Sequence, residues 1–346
     1  MKKIKKHVKN HQGLIVLSGI GIVGLAGAFA FMASAATDCI FTDQGNTRML
    51  NADCATDATI FIPDGFTLDG RHHTITAVDP TGDHFKGAVV QNAGANAHVK
   101  NLVVTTSNLS NACDAGGDRL RGIMFQGASG SIVHNTVYNL NQGASGCQEG
   151  NAIEVRNEPF DGTHPDTQTV EIAHNGLTSW QKTGIVANGD VSVDIHHNYV
   201  GSSATQPNDL AANSIQLGFG AIGQVVQNRL DGNQWCGSSE FVATAILLFQ
   251  TSNGAVVKQN IIGGNSDVGI YGFGDDLVVD NNKLTDNTVE DCNQFAYDIG
   301  IGNYGSAASL SSFTNNKVNG FDTPYDGVTS GKNKVIPGPQ KGQTFF

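Results

Sequence analysis

The chain has 346 residues, 43 of them glycine, with 39% hydrophobic residues and a formal net charge of −11. That much glycine without a Gly-X-Y period excludes a collagen and points to short strands joined by many turns. The surplus of acid over base excludes a nucleic-acid partner, because phosphate recognition needs a basic footprint.

The chain opens with Lys2, Lys3, Lys5, Lys6 and Lys9 ahead of an apolar run from Leu14 to Met32, closed by Ala33-Ser34-Ala35. A basic head, an apolar stretch and a small-x-small site mark an export signal over residues 1–35; the length of the run leaves an uncleaved membrane anchor as the alternative. In both cases the remainder faces the outside, as a secreted or outer cell-surface protein that meets a membrane only through an uncleaved segment. Five of the twenty basic residues and none of the thirty-one acids lie in residues 1–35, so the exported part carries fifteen bases against thirty-one acids, a net −16. All six cysteines follow this segment, and an even count in an exported chain argues for three disulfides.

Residues 36–58 read as a cap segment, and a repeat occupies residues 59–320. Its first mark is an Asn followed two residues later by an aliphatic, as in "IVHNTVY", "DIHHNYV" and "VVKQNII"; the asparagines are Asn101, Asn135, Asn175, Asn198, Asn228, Asn260, Asn282 and Asn316. Its second mark is a strand-like segment upstream of each Asn, "GIMFQ", "AIEVR", "GIVAN", "SIQLG" and their equivalents. Aligned, these place Ala88, Ile123, Ile153, Ile185, Ile215, Ile246, Ile270 and Ile299 in one inward column. Alternation then turns Phe125, Val155, Ala187, Leu217, Leu248, Gly272 and Ile301 inward too, and the residues between them outward. Short strands at a fixed register with Gly, Asn and Asp in the turns are the signature of a solenoid whose coils bury themselves against one another. Asn suits the turn, since it tolerates the left-handed conformation and its amide bonds to the Asn one coil above and below.

At these Ile columns, this Asn ladder and the opening "IFIPDGFTLDGRHHTITA" the sequence resembles the pectate-lyase-like superfamily over roughly residues 55–320. The resemblance implies an all-β chain, a right-handed parallel β-helix of about eight to nine coils, monomeric, followed by an irregular tail over 321–346. It also implies a polysaccharide or cell-surface glycan as partner, without naming an activity, since the architecture hosts lyases, hydrolases, epimerases and non-catalytic surface proteins. In the aligned coils Cys113 and Cys147 fall in turns leading into successive strands, as do Cys236 and Cys292. The expected disulfides are therefore Cys39 with Cys54, Cys113 with Cys147, and Cys236 with Cys292.

The alignment turns Glu154 and Arg156 outward, beside Gln126, Asn188 and Gln216, with Phe249, Tyr271 and Phe273 further along the same face. Polar groups bind sugar hydroxyls and aromatics stack on sugar rings, so these six flanking residues and Trp180, in a turn feeding the face, are the candidate glycan contacts. Candidate catalytic groups are Glu154, Arg156, Arg121, Asp161 and Asp166. In a lyase, Arg121 or Arg156 serves as base and Glu154 with Asp161 or Asp166 holds calcium, the one cation this chemistry would recruit; no cofactor is required otherwise. In a glycoside hydrolase, Glu154 and Asp161 or Asp166 form the carboxyl pair. The alternatives are a non-catalytic glycan-binding face and a plain ion pair between Glu154 and Arg156. A second column, His134, His174 and His197 with His196 beside it, reads as a continuation of the polar ladder in preference to a transition-metal site, so no metal ligands are assigned.

Overall fold

The computed structural model describes residues 37–142, 147–157, 167–204, 211–237, 241–287, 298–328 and 331–336. Residues 1–36 lie outside these, and with them the expected export signal; among the described residues no helix is long and apolar enough to cross a membrane.

Among the described residues the strands fall into three sheets of eleven, ten and eleven, and the chain visits each sheet in turn, so neighbours within a sheet are three strands apart in sequence except at the two ends of the stack. All pairings are parallel except that of Phe41–Gln44 with Thr47–Leu50, a hairpin closing one end of the first sheet. The hairpin and the Cys39–Cys54 disulfide lie at that end of the stack. The ten-stranded sheet, which carries the candidate site and is called the face sheet here, runs from Ile60–Ile62 to Thr323–Asp326. Ten stacked strands exceed the eight to nine coils expected, because the stack continues past residue 320 with Thr323–Asp326 on the face sheet and Lys334–Val335 on the third sheet.

The interior is a column of isoleucines in direct register, Ile123, Ile153, Ile185, Ile215, Ile246, Ile270 and Ile301, each fully buried. Each stabilises the stack by about 1.5–3 kcal/mol relative to exposure. Two members of the expected column are displaced. Val90, not Ala88, pairs with Ile123, and Ile301, not Ile299, pairs with Ile270. A shift of two residues preserves the alternation of a strand, so the period cannot choose between them. The true register signal is a small residue before each Ile: Gly122, Ala152, Gly184, Ser214, Ala245, Gly269 and Gly300. The chain turns two consecutive residues inward here, and a Cβ at Gly122 would lie 2.5 Å from the Ala152 carbonyl oxygen, one at Gly184 2.4 Å from Val200 Cγ1. The residue before this pair, Arg121 in its coil, is thereby returned to the outer face.

The Asn ladder forms at a buried corner. Asn135, Asn175, Asn198, Asn228, Asn260, Asn282 and Asn316 each accept through Oδ1 from the backbone N–H of the preceding coil's ladder residue, at 2.9–3.0 Å. Two details differ from expectation. Leu102, not Asn101, holds the ladder position in its coil, and the series ends on Asn333. The left-handed residue is the one before the ladder Asn: Asn101, His134, His174, His197, Gln227, Gln259, Asn281 and Asn315 all have φ between 51° and 58°. The ladder Asn is thus selected for its amide and not for its backbone.

Tyr325 fastens the last coil, its hydroxyl donating to the carbonyls of Asn316 at 3.0 Å and Lys334 at 2.9 Å. Burial pushes this phenol up to about 12 from an ordinary 10. The folded pKa is the higher, so the unfolded chain loses its proton first. Stability held below pH 10 is lost as pH rises towards 12. Melting temperature is expected to fall across this window less steeply in Tyr325→Phe than in the parent, and equal slopes would contradict the assignment.

Candidate functional site

The outer surface of the face sheet carries three side-chain columns. The first is Arg121, Asn151, Thr183, Asn213 and Thr244; the second Met124, Glu154, Val186, Gln216, Leu247 and Tyr271; the third Gln126, Arg156, Asn188, Gly218, Phe249 and Phe273. Asn151 and Asn213 were not singled out from the sequence. The small residue that follows each of them was the available signal, since it marks a doubled inward pair and so an outward predecessor.

At the N-terminal end of this surface the charges converge. Arg121 Nε donates to Glu154 Oε2 at 2.6 Å, Asn151 Nδ2 donates to the same oxygen at 2.8 Å, and Arg156 stands 3.4 Å from Glu154 Oε1. Arg156 also donates to Gln126 Oε1 at 3.1 Å. Glu154 and Arg121 are only 4% and 1% exposed, so this is a buried ion cluster and not the solvated pair that two outward charges suggest. What covers them is the segment 113–120. Arg121 Nη1 donates to the carbonyls of Gly117 and Arg119, and Nη2 to that of Gly116. The segment is itself held by the Cys113–Cys147 disulfide, by Asp114 against His84 Nε2 at 2.7 Å, and by Glu149. Glu149 is fully buried and accepts from the backbone N–H groups of Asp114 and Leu120.

Chemically this arrangement removes Arg121 from the candidate bases. Each of its guanidinium nitrogens is already donating, and its side chain is 2% exposed. Glu154 is similarly committed: one oxygen takes two donors and the other faces Arg156. Gln126 and Arg156, the latter with a side chain 11% exposed, are the cluster members nearest to solvent. Two buried polar atoms at this end, Arg119 Nε and Asn151 Oδ1, have no partner among the described residues. Such orphans are rare in folded proteins.

Towards the C-terminal end the surface changes character. Asn188 accepts from Gln216 at 3.2 Å, Gln216 from Asn213 at 3.2 Å, and Asn213 from Thr244 at 2.9 Å, which locks a row of amides across three coils. Beyond it Phe219, Phe249 and Phe273 form an aromatic ladder with ring centroids 5.4 and 5.5 Å apart, and Tyr271 lies 4.8 Å from Tyr304. Phe249 and Phe273 are half-buried and Phe219 is 47% exposed, so the ladder is open to solvent.

Trp180 is not on this surface. It is fully buried in the core with Nε1 donating to the Gly201 carbonyl, so the turn that carries it folds inward and its ring is not presented to the outer face. Asp161, Asp166 and Cys292 lie outside the described residues. Cys236, the expected partner of Cys292, is disulfide-bonded. The histidine column lies away from the face sheet, on the corner between the other two sheets, where neighbouring imidazoles and desolvation lower the pKa of His174, desolvation being the larger cause.

No family model matches this chain, and no curated protein is similar to it in sequence. Every strand of the face sheet pairs in parallel with the strand one coil away. The chain is a parallel β-helix. Among solved structures it is similar to the periplasmic alginate epimerase AlgG, at 10% identity and TM-score 0.40 over 83% of each chain. It is likewise similar to the Dettilon tailspike protein, at 11% identity and TM-score 0.40 over 83% of this chain and 59% of that one. The functional reading rests on this chain's own side chains.

Proposed function

We propose that the outer surface of the face sheet binds a polysaccharide running along the stack, outside the cell. The observation that carries this is the solvent-open ladder of Phe219, Phe249 and Phe273 in line with the fixed amides of Asn188 and Gln216 and with Arg156 and Gln126. Sugar rings present apolar faces and polar edges, and this surface offers ring-stacking groups and hydrogen-bonding groups side by side. The two disulfides agree with an oxidising, extracytoplasmic setting.

Cleavage of the glycan, by a lyase or a hydrolase, is the second reading. It draws on the convergence of Glu154 and Arg156, and is weakened by the full engagement of Arg121 and by the hydrogen bonds and ion pair that already occupy both oxygens of Glu154.

The test is a binding titration of uronic-acid and neutral polysaccharides, with and without calcium, followed in parallel for reducing ends and for the ultraviolet absorbance of unsaturated sugars. Wild type is expected to bind at least one polymer, and Phe249→Ala with Phe273→Ala to weaken that binding roughly tenfold, as the loss of one to two stacking contacts implies. Binding unchanged by the double substitution would refute the stacking surface. Product that disappears in Arg156→Ala with the melting temperature unchanged would favour cleavage.

A further inference from the structure

The histidines that the sequence places in the polar ladder column meet more closely than a ladder requires. His174 follows the strand Gln168–Ala173 and His196–His197 close the strand Val191–His196 one coil later. The left-handed φ of 54° at His197 turns the corner, so that two adjacent residues present their rings to the same spot. The imidazole centroids of His174, His196 and His197 form a triangle with edges of 5.8, 5.1 and 5.2 Å. One ring nitrogen from each lies within 4.8 Å of the other two.

We propose that His174, His196 and His197 bind a divalent transition-metal ion such as zinc through three imidazole nitrogens, with the fourth position open to water. Zinc with nitrogen ligands at about 2.0–2.1 Å holds them about 3.3 Å apart in a tetrahedron. His196 Nδ1 and His197 Nδ1, at 2.9 Å, are already near that separation, and the exposed ring of His174 brings a nitrogen within 4.8 Å of a nitrogen on each of the other two.

A second feature fits the same assignment. His196 Nε2 lies 3.3 Å from Glu171 Oε1. A carboxylate accepting from Nε2–H fixes the tautomer that leaves Nδ1 as the lone-pair donor, which is the carboxylate–histidine–metal arrangement. The backbone beneath is rigid, because Asn175 and Asn198, the residues following His174 and His197, are both ladder members. Nor does the turn demand histidine, since Gln227 and Gln259 occupy the same left-handed position at φ 56°. His134 stacks on His174 at 4.9 Å without joining the triangle. The site is on a different face from the glycan surface and stands independently of it.

The same glutamines supply variants that fold. Zinc titrated calorimetrically into the intact protein is expected to bind one ion per chain, and His174→Gln and His197→Gln each to weaken it more than tenfold. Glu171→Gln, which leaves all three ligands in place, is expected to weaken binding roughly tenfold through the tautomer. Cobalt in place of zinc should give the visible absorption of a tetrahedral nitrogen site and lose it in His197→Gln. Thermal melts without metal should be unchanged in the glutamine variants, which separates ligand loss from misfolding. Absence of zinc binding, or binding of unchanged affinity in the His174→Gln/His197→Gln double variant, would overturn the proposal.

Discussion

Glu154→Ala is expected to lower stability by about 3–5 kcal/mol, a large part of what holds a typical domain together. The substitution removes the only carboxylate bonded to Arg121 among the described residues and leaves a guanidinium 1% exposed without that counter-charge. It also strips Asn151 of its acceptor and removes a carboxylate 3.4 Å from Arg156. Arg156→Ala should cost less, about 1 kcal/mol, because Arg121 and Asn151 keep Glu154 hydrogen-bonded and only the 3.4 Å contact to its other oxygen is lost. Removing both charges in Arg121→Met/Glu154→Ala should recover part of the loss, but not all, since the carbonyls of Gly116, Gly117 and Arg119 lose their donor. Denaturant unfolding of the three variants decides this, and a Glu154→Ala protein within about 1 kcal/mol of wild type would show that the cluster is not a buried ion pair. The consequence for function is direct. Loss of activity in a Glu154 variant would report unfolding as readily as chemistry, so Arg156→Ala is the informative substitution at this site.

Asn198→Ala is expected to cost about 4 kcal/mol, and Asn135→Ala distinctly less. Asn198 Oδ1 accepts from both the backbone N–H and Nδ2 of Asn175, and its Nδ2 donates to the Ile172 carbonyl and to Asn228 Oδ1. The corner is buried, so alanine orphans two donors and an acceptor with no water to replace the lost amide, at about 1–3 kcal/mol for each group left unmade. Asn135 begins the ladder and accepts only from the Leu102 backbone N–H, so its removal orphans one donor fewer. Equilibrium unfolding of the two variants side by side is the measurement. Equal losses would mean that the asparagines act singly and not as a chain.

The repeat itself was legible because a solenoid asks the same thing of every coil. Ile153, Ile185, Ile215 and Ile246 lie in one register in the sequence and in space, and the disulfide Cys113–Cys147 joins the cysteines that the aligned turns bring together. The errors lie where the sequence offers two answers of equal period. Ile299 and Ile301 both satisfy alternation, and only the small residue at Gly300, whose Cβ would sit 2.4 Å from Val318 Cγ1, selects the second. Asn101 was legible as an Asn before an aliphatic, but which of two adjacent corner positions it fills depends on the amide that reaches Leu102 from the next coil. Asn333, in "KNKV", carried the same signal as Asn316 in "NNKV" and completes the ladder.

By itself the sequence determined what repeats: an all-β chain, inward isoleucines, a corner of stacked asparagines, and which residues share the outer face. These follow from periodicity, which is local and is read at every coil. Only the tertiary structure decided how exposed that face is and what its charges do. Whether Glu154 meets solvent or a buried guanidinium depends on segment 113–120, which a disulfide, Glu149 and His84 draw over Arg121 from elsewhere in the chain. Whether three histidines are a ladder or a triangle depends on a left-handed turn at His197. Contacts of this kind occur once and leave no period in the sequence, so burial, and with it the chemistry of each group, is settled by the fold.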